Sequence, residues 1–187
     1  MDLSPAKLEI LETLLLHEKP VKALEISQEK AKDRPAVQMH LIGLVRMGYA
    51  KSPAKGLYVI SENGKKALGL PEVTRDLALK ILGQTSRDKA FYFYEGIGKP
   101  LNLYAQGLLD FCDKIGKINA NSVQFHIHRG DFEAWFKALG DAELSKKTAL
   151  LKSKQLPVED LQRKLREMVK SRCTKLTEVA GQASPHM

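Results

Sequence analysis

Residues 37 to 64 read VQMHLIGLVRMGYAKSPAKGLYVISENG. The first half of this stretch carries apolar side chains at helical spacing: Val37, Leu41, Leu44 and Val45. This period predicts a helix with one apolar face. Asp33 supplies an oxygen that can cap the start of the helix, and Gly48 can end it. One helix with a buried face is therefore expected between Asp33 and Gly48.

The second half of the stretch predicts a β-hairpin. Residues 49–51 and 57–60 have strand composition, and residues 52–56 between them have turn composition. Ser61 can then cap a short helix that runs to Leu68. The predicted order is helix, strand, turn, strand and helix.

Two further helices are predicted upstream. The first begins with Ser4 as a hydroxyl cap and ends before Pro20. The second covers about residues 22–31, and its apolar anchors are Leu24 and Ile26.

The order of these elements resembles the winged helix-turn-helix superfamily. The shared positions are Val37-x-x-His40-Leu41-x-x-Leu44-x-x-x-Gly48-Tyr49 and Gly56-x-Tyr58-x-Ile60-Ser61-Glu62-x-Gly64. The resemblance covers residues 4–69 and implies a winged helix-turn-helix domain at residues 1–70, mainly α with a small β wing. Transcription regulators of bacteria and archaea use such domains to bind duplex DNA, whereas other members of the superfamily bind proteins.

Charge is distributed unevenly along this domain, within a chain of 187 residues and net charge +8. Residues 1–29 hold three basic and six acidic side chains, whereas residues 30–66 hold eight basic and two acidic ones. Such a reversal is typical of a surface that binds a polyanion. A solvated basic face that only maintains solubility explains the charge equally well.

A helix that reads DNA bases presents Arg, Lys, Asn or Gln to the major groove. The face opposite the apolar stripe holds few such side chains. The predicted DNA contacts are Lys32, Arg34, Gln38, Met39, Arg46, Lys51 and Lys55. Alternatively, an apolar patch at Met39 and Ile42 docks onto a partner protein.

Residues 71–156 predict a mainly helical C-terminal domain. The aromatic run at residues 91–94 predicts a strand, with a core side and a boundary side, or a stacking platform for bases. Residues 101–115 are amphipathic. Ser122, Asp131 and Asp141 are possible caps of three consecutive helices.

The second of these caps lies in the motif His126-x-His128-Arg129-Gly130-Asp131-Phe132-x-x-Trp135, which resembles a C-terminal domain of archaeal proteins with no activity known to us. On a strand, His126 and His128 would share a face and could bind a metal ion with Asp131. The helical interpretation, which we favour, separates them by about 200° and predicts no metal site. It predicts instead that Phe132 and Trp135 are buried.

Residues 157–187 predict a basic helix over 158–179 and a disordered tail from Gly181 onward. Arg172 interrupts the narrow apolar seam of this helix, so we expect it to pack on a second subunit or on the winged domain. The sequence has two cysteines, Cys112 and Cys173, and no C-x-x-C motif. Their spacing is typical of neither a metal site nor a disulfide framework, which predicts that both are free thiols.

The sequence therefore predicts a cytoplasmic, DNA-binding transcription regulator that works as a homodimer. No catalytic motif, cofactor motif or membrane-spanning stretch of about 18 apolar residues is present in the sequence. The alternatives are a module whose winged helix docks a partner protein, and a C-terminal domain that senses a ligand or a metal ion.

Overall fold

The structure, a computed structural model, describes residues 3–17 and 19–181. Contacts divide the chain into two compact units, of which the first ends at Glu72 and the second begins at Val73. The fold is mainly helical with small antiparallel sheets, as predicted. In the part of the chain described, no helix combines the length and the apolar character needed to cross a membrane.

The first unit alternates helices with very short strands. Its elements are α1 (Pro5–Leu16), β1 (Val21–Lys22), α2 (Ala23–Lys30), α3 (Arg34–Arg46), β2 (Ala50–Lys51), β3 (Leu57–Ile60) and α4 (Glu62–Ala67). The predicted hairpin is β2 and β3, paired with Ala50 opposite Ile60. Val21 of β1 pairs with Tyr58 on the other edge of β3, which makes β3 the central strand. The sequence did not predict β1 because two residues carry no period.

Apolar side chains of α1, α2 and α3 form the core of the first unit. Side chains without any exposed surface are Ile10, Leu11, Ile26, Val37, Leu41 and Leu44. The stripe predicted on α3 is therefore confirmed. Leu24 was expected to anchor α2 but is 42% exposed. Positions 24 and 26 of a helix point about 200° apart, so only one of them can face the core.

Two of the predicted caps in this unit form hydrogen bonds. The Ala36 N–H donates to Asp33 Oδ2 at 3.2 Å at the start of α3. Ser61 Oγ accepts from the Gly64 N–H at 3.1 Å at the start of α4. Ser4 caps α1 through its backbone carbonyl only, because its side chain makes no cap hydrogen bond.

The second unit, as far as the structure describes it, combines six α-helices with one hairpin, against which α6 and α7 pack. Its elements are α5 (Arg75–Leu82), β4 (Phe91–Gly96), β5 (Lys99–Ala105), α6 (Leu108–Ile115), α7 (Ala120–Arg129), α8 (Asp131–Leu139), α9 (Ala142–Ser153) and α10 (Val158–Gly181). The core is aromatic: Phe91, Phe93, Phe111, Phe132, Trp135 and Phe136 are buried. The predicted burial of Phe132 and Trp135 and the helical interpretation of α7 are confirmed.

Residues 101–115 do not form the single amphipathic segment that was expected. The chain is a strand as far as Ala105, which pairs with Phe91, and becomes a helix at Leu108. Leu109, placed on the apolar face by the sequence, is 49% exposed. The sequence prediction applied one helical period across the boundary between β5 and α6, although a strand and a helix have different periods.

The three expected caps of the second unit differ in outcome. Asp141 Oδ1 accepts from the Leu144 N–H at 3.0 Å and caps α9, as predicted. At α7, Asn119 rather than Ser122 accepts the cap hydrogen bond. At α8, Gly130 occupies the cap position with φ of 77°, and Asp131 is the first helical residue. The capping role predicted for Asp131 is wrong.

Helix α10 belongs to the second unit, in which it packs against α5, α6, α7 and α9. These contacts within its own unit were not expected, and they join residues 158–181 to the second unit, so 157–187 is not a separate segment as expected. Packing of α10 on a second subunit stays a prediction. The tail was expected to begin at Gly181, but Gly181 is the last residue of α10. The remaining tail residues, 182–187, lie outside the described residues. Both cysteines are free thiols, as predicted.

Candidate functional site

The outward face of α3 is the first candidate surface. Because Val37, Leu41 and Leu44 point into the core, the opposite side of the helix lies in solvent. Met39 is 73% exposed and Ile42 is 40% exposed. This face therefore combines an apolar centre with exposed polar side chains at both ends of the helix.

Four exposed cations lie on α3 and on the hairpin that follows it. Arg34 lies at the start of α3 and Arg46 at its end, and Lys51 and Lys55 lie on the β2–β3 hairpin. All four side chains are exposed, and none forms an ion pair within the described residues. The hairpin follows α3 directly and β2 packs against it. These cations therefore belong to one continuous part of the first unit.

Gln38, another predicted DNA contact, is half-buried and bonded within the protein. Its Nε2 donates to the Tyr58 hydroxyl, which ties α3 to the central strand β3. A glutamine that reads adenine needs both ends of its amide. The bond to Tyr58 uses one of the two Nε2 hydrogens, so the other hydrogen and the amide oxygen of Gln38 remain available to a ligand.

Lys32 is held by a carboxylate. Its Nζ lies 2.9 Å from Glu9 Oε2, and Lys30 Nζ lies 3.7 Å from Glu9 Oε1. Hydrogen bonding and charge from these lysines lower the pKa of Glu9. Part of the positive charge that the sequence placed here is thus offset by a residue of α1.

Comparisons of the chain with protein-family models, with curated proteins and with solved structures found no match.

His126 lies at the centre of the second candidate site. Its ring is buried against Phe91, at 4.8 Å between ring centroids. The Tyr94 N–H donates to Nε2 at 2.8 Å, so Nε2 carries no proton, and Nδ1 donates to Asp131 Oδ2 at 2.8 Å. Burial lowers the pKa of His126, although the Asp131 carboxylate acts in the opposite direction. The structure thus holds a neutral imidazole with its proton on Nδ1.

This geometry leaves neither ring nitrogen of His126 for a metal ion. His128 is exposed on another side of α7. Across residues 3–17 and 19–181, no group of three or more His, Cys, Asp or Glu side chains could hold a metal ion. Asp131, expected as a helix cap, instead fixes the tautomer of His126.

Sequence reasoning missed the pocket beside this pair. It has a volume of about 290 Å³, and its wall combines β4, the tip of the β4–β5 hairpin and α7. The motif around His126 predicted a helix cap, a metal alternative and two buried aromatic side chains, but no pocket. The available signal was the pair Phe125 and Arg129, which lie four residues apart and therefore share one face of α7.

Proposed function

We propose that residues 3–70 form a winged helix-turn-helix domain that binds duplex DNA, and that the chain is a cytoplasmic transcription regulator. The observation that carries this proposal is a set of four exposed cations on α3 and the adjacent hairpin that form no ion pair with any residue the structure describes: Arg34, Arg46, Lys51 and Lys55. Cations left without a carboxylate partner are available to phosphates. The second unit then serves for sensing or dimerisation.

In this proposal α3 enters the major groove, and the hairpin is the wing. Lys51 and Lys55 neutralise phosphates beside the groove, which gives affinity without sequence preference. Arg34 is the side chain placed to reach a guanine, so Arg34→Ala lowers discrimination at one base pair by about 1–3 kcal/mol. Since Met39 and Ile42 occupy the centre of the helix face, we expect broad rather than sharp sequence specificity.

A homodimer follows from the small size of this reading surface. Two copies on half-sites one helical turn apart double the number of contacts. Helix α10, which was expected to pack on a second subunit or on the winged domain, packs within its own unit. The proposed dimer therefore depends on the half-site geometry alone.

Anisotropy titrations of a labelled random duplex at several salt concentrations test the proposal. Each neutralised phosphate steepens the fall of log affinity with log salt by about 0.9. Lys51→Ala combined with Lys55→Ala therefore flattens the slope by about two and weakens binding to all sequences alike. Absence of binding at low salt contradicts the proposal.

A matched control removes the same charge elsewhere in the first unit. Lys65 and Lys66 form ion pairs with Glu62 and Glu72, at 2.9 and 2.7 Å. Their joint replacement by Ala should leave the salt slope unchanged. If both double variants flatten the slope equally, the attraction comes from net charge and not from the hairpin.

The exposure of Met39 favours a second candidate function, docking of a partner protein on α3. A methionine that is 73% exposed at the centre of a helix face adapts easily to an apolar partner. This function predicts negligible DNA affinity even at low salt, and loss of partner binding in Met39→Asp. The salt titration thus separates the two candidates.

A further inference from the structure

The pocket of the second unit has aromatic walls. Rings of β4 and α7 line it, among them Phe91, Tyr92, Tyr94 and Phe125. Its volume of about 290 Å³ lies at the lower end of the range for ligand sites, which is roughly 300 to 1,000 Å³. A ligand of this pocket is therefore a small molecule with an apolar or aromatic part.

One cation stands at the edge of the pocket. The guanidinium of Arg129 lies over the Phe125 ring, 5.1 Å from its centroid, and its Nε donates to Asp131 Oδ2 at 3.1 Å. The terminal nitrogens Nη1 and Nη2 donate to no residue that the structure describes. Since the Arg129 side chain is 53% exposed, these two nitrogens are available to a carboxylate of a ligand.

One anion stands beside that cation. Asp131 Oδ2 accepts from both His126 Nδ1 and Arg129 Nε, whereas Oδ1 accepts only the longer contact from Arg129 Nε, at 3.4 Å. A carboxylate oxygen has two lone pairs, so Oδ1 retains acceptor capacity. The Asp131 side chain is 29% exposed and can be reached from the pocket that it lines.

The charges at the pocket edge sum to zero, because His126 is held neutral between Tyr94 and Asp131. A ligand with a single negative charge would be attracted by Arg129 and repelled by Asp131. A ligand with a single positive charge would be repelled by Arg129 and attracted by Asp131. A ligand that carries a carboxylate and an ammonium group on one carbon atom satisfies both side chains. An α-amino acid has this arrangement, with its side chain attached to the same carbon.

We propose that this pocket binds a free α-amino acid with an apolar or aromatic side chain. The ligand carboxylate binds the terminal nitrogens of Arg129, the ammonium donates to Oδ1 of Asp131, and the side chain lies among the rings. Ile97, at the tip of the hairpin, is 87% exposed and lines the same pocket. It covers the ligand side chain. The proposal concerns the second unit and does not depend on DNA binding.

Titration calorimetry of the full chain tests the required charges. L-phenylalanine and L-leucine are the probes, and 3-phenylpropionate and 2-phenylethylamine each lack one charge of phenylalanine. Loss of one charge-assisted hydrogen bond weakens binding by at least about tenfold, so both analogues should bind correspondingly more weakly than phenylalanine. Equal binding of either analogue, or no binding of both amino acids at millimolar concentration, overturns the proposal.

Substitutions of two arginines test whether the amino acid binds in this pocket. Arg129→Gln should weaken binding of the better probe by at least about tenfold. Arg87→Gln is the matched control, because Arg87 also lies 5.1 Å from an aromatic centroid, that of Tyr104, and does not line this pocket. Unchanged binding in Arg129→Gln, or equal weakening in both variants, overturns the proposal. Circular dichroism melting verifies that both variants fold.

The covering role of Ile97 is tested by a separate substitution, which should not disturb folding because the side chain is exposed. Ile97→Ser removes an exposed apolar side chain at the hairpin tip and should weaken binding of the same probe severalfold. Unchanged affinity in Ile97→Ser overturns the covering role of the hairpin tip.

Discussion

Arg172 and Asp141 form a buried ion pair through two contacts, Nε to Oδ2 at 2.9 Å and Nη2 to Oδ1 at 2.8 Å. Glu143 joins them, since it accepts from Arg172 Nη1 at 2.9 Å and lies 3.2 Å from Lys147 Nζ. Two cations and two anions thus share one buried network. The residue expected to interrupt the apolar seam of α10 fastens that helix to α9.

Replacing Arg172 by Met should lower the free energy of unfolding by about 3–5 kcal/mol. The change leaves Asp141 buried without its cation, and the cost of a buried, uncompensated carboxylate exceeds the gain from an apolar side chain. Urea unfolding followed by far-UV circular dichroism measures the loss.

Arg163→Met is the matched control on the same helix. Arg163 is 56% exposed and pairs with Asp160 at 2.8 Å. Solvent screens such a pair, so the expected loss is at most about 1 kcal/mol. Equal losses in the two variants would show that the buried network does not hold α10 in place.

A second prediction concerns pH. Burial lowers the pKa of His126 from its ordinary 6.5, so the unfolded chain binds a proton at a pH at which the folded chain does not. The free energy of unfolding should therefore fall as the pH drops below about 6.5, with a contribution from this residue of up to about 1.4 kcal/mol per pH unit. Protonation of Nε2 would also break its hydrogen bond from the Tyr94 N–H.

Urea unfolding of His126→Gln between neutral pH and pH 5 isolates this contribution. The variant should be less stable than the parent at neutral pH, and its stability should fall less steeply as the pH drops. His128→Gln, which changes an exposed histidine on the same helix, should keep the slope of the parent. Parallel profiles for the parent and His126→Gln would contradict the lowered pKa of His126.

The elements of the first unit could be predicted because local patterns determine them. The stripe on α3, the hairpin and the Ser61 cap each depend on residues a few positions apart, and all three are present. The strand β1 could not be predicted, since it exists only through its pairing with β3.

In the second unit, local patterns did not predict every side-chain contact. Asp131 and Asp141 both follow a glycine and both resemble caps, yet only Asp141 caps its helix. The side chain of Asp131 is directed to His126 and Arg129 instead. The two candidate sites also differ in how far the sequence predicts them. Charge along the chain indicated the cations of α3 and the hairpin. The spacing of Phe125 and Arg129 places both on one face of α7, but the pocket also needs the packing of β4 against α7, which that spacing does not predict.

A third prediction uses two glycines of the first unit. A Cβ on Gly64 would lie 2.1 Å from the Tyr49 carbonyl oxygen and 2.8 Å from Ile60 Cγ1. Gly64→Ala should therefore cost about 1–3 kcal/mol. A Cβ on Gly43, inside α3, would lie 3.7 Å from Lys7 Cε, which is ordinary contact. Gly43→Ala should instead stabilise the first unit by about 0.5–1 kcal/mol.

The single tryptophan, Trp135, allows these effects to be assigned to one unit. Its fluorescence reports the second unit, whereas far-UV circular dichroism reports both. Gly64→Ala should move the circular dichroism transition to lower urea and leave the fluorescence transition unchanged. A gain in stability from Gly64→Ala would show that α4 does not approach Tyr49 as closely as described.

The last prediction concerns Trp135 itself. Its ring lies against Phe91 and Phe111, at 5.5 and 5.3 Å between centroids, and its Nε1 donates to the Lys89 carbonyl at 3.0 Å. Trp135→Ala should cost about 3–5 kcal/mol, because the surrounding rings cannot close the cavity. Trp135→Phe keeps most of the apolar contact and loses one hydrogen bond, for about 1 kcal/mol. Urea unfolding followed by circular dichroism measures the free energy of unfolding of the parent, Trp135→Phe and Trp135→Ala, which should decrease in that order. If Trp135→Ala unfolded at the same urea concentration as the parent, Trp135 would lie outside the core and its indole would be available to a partner.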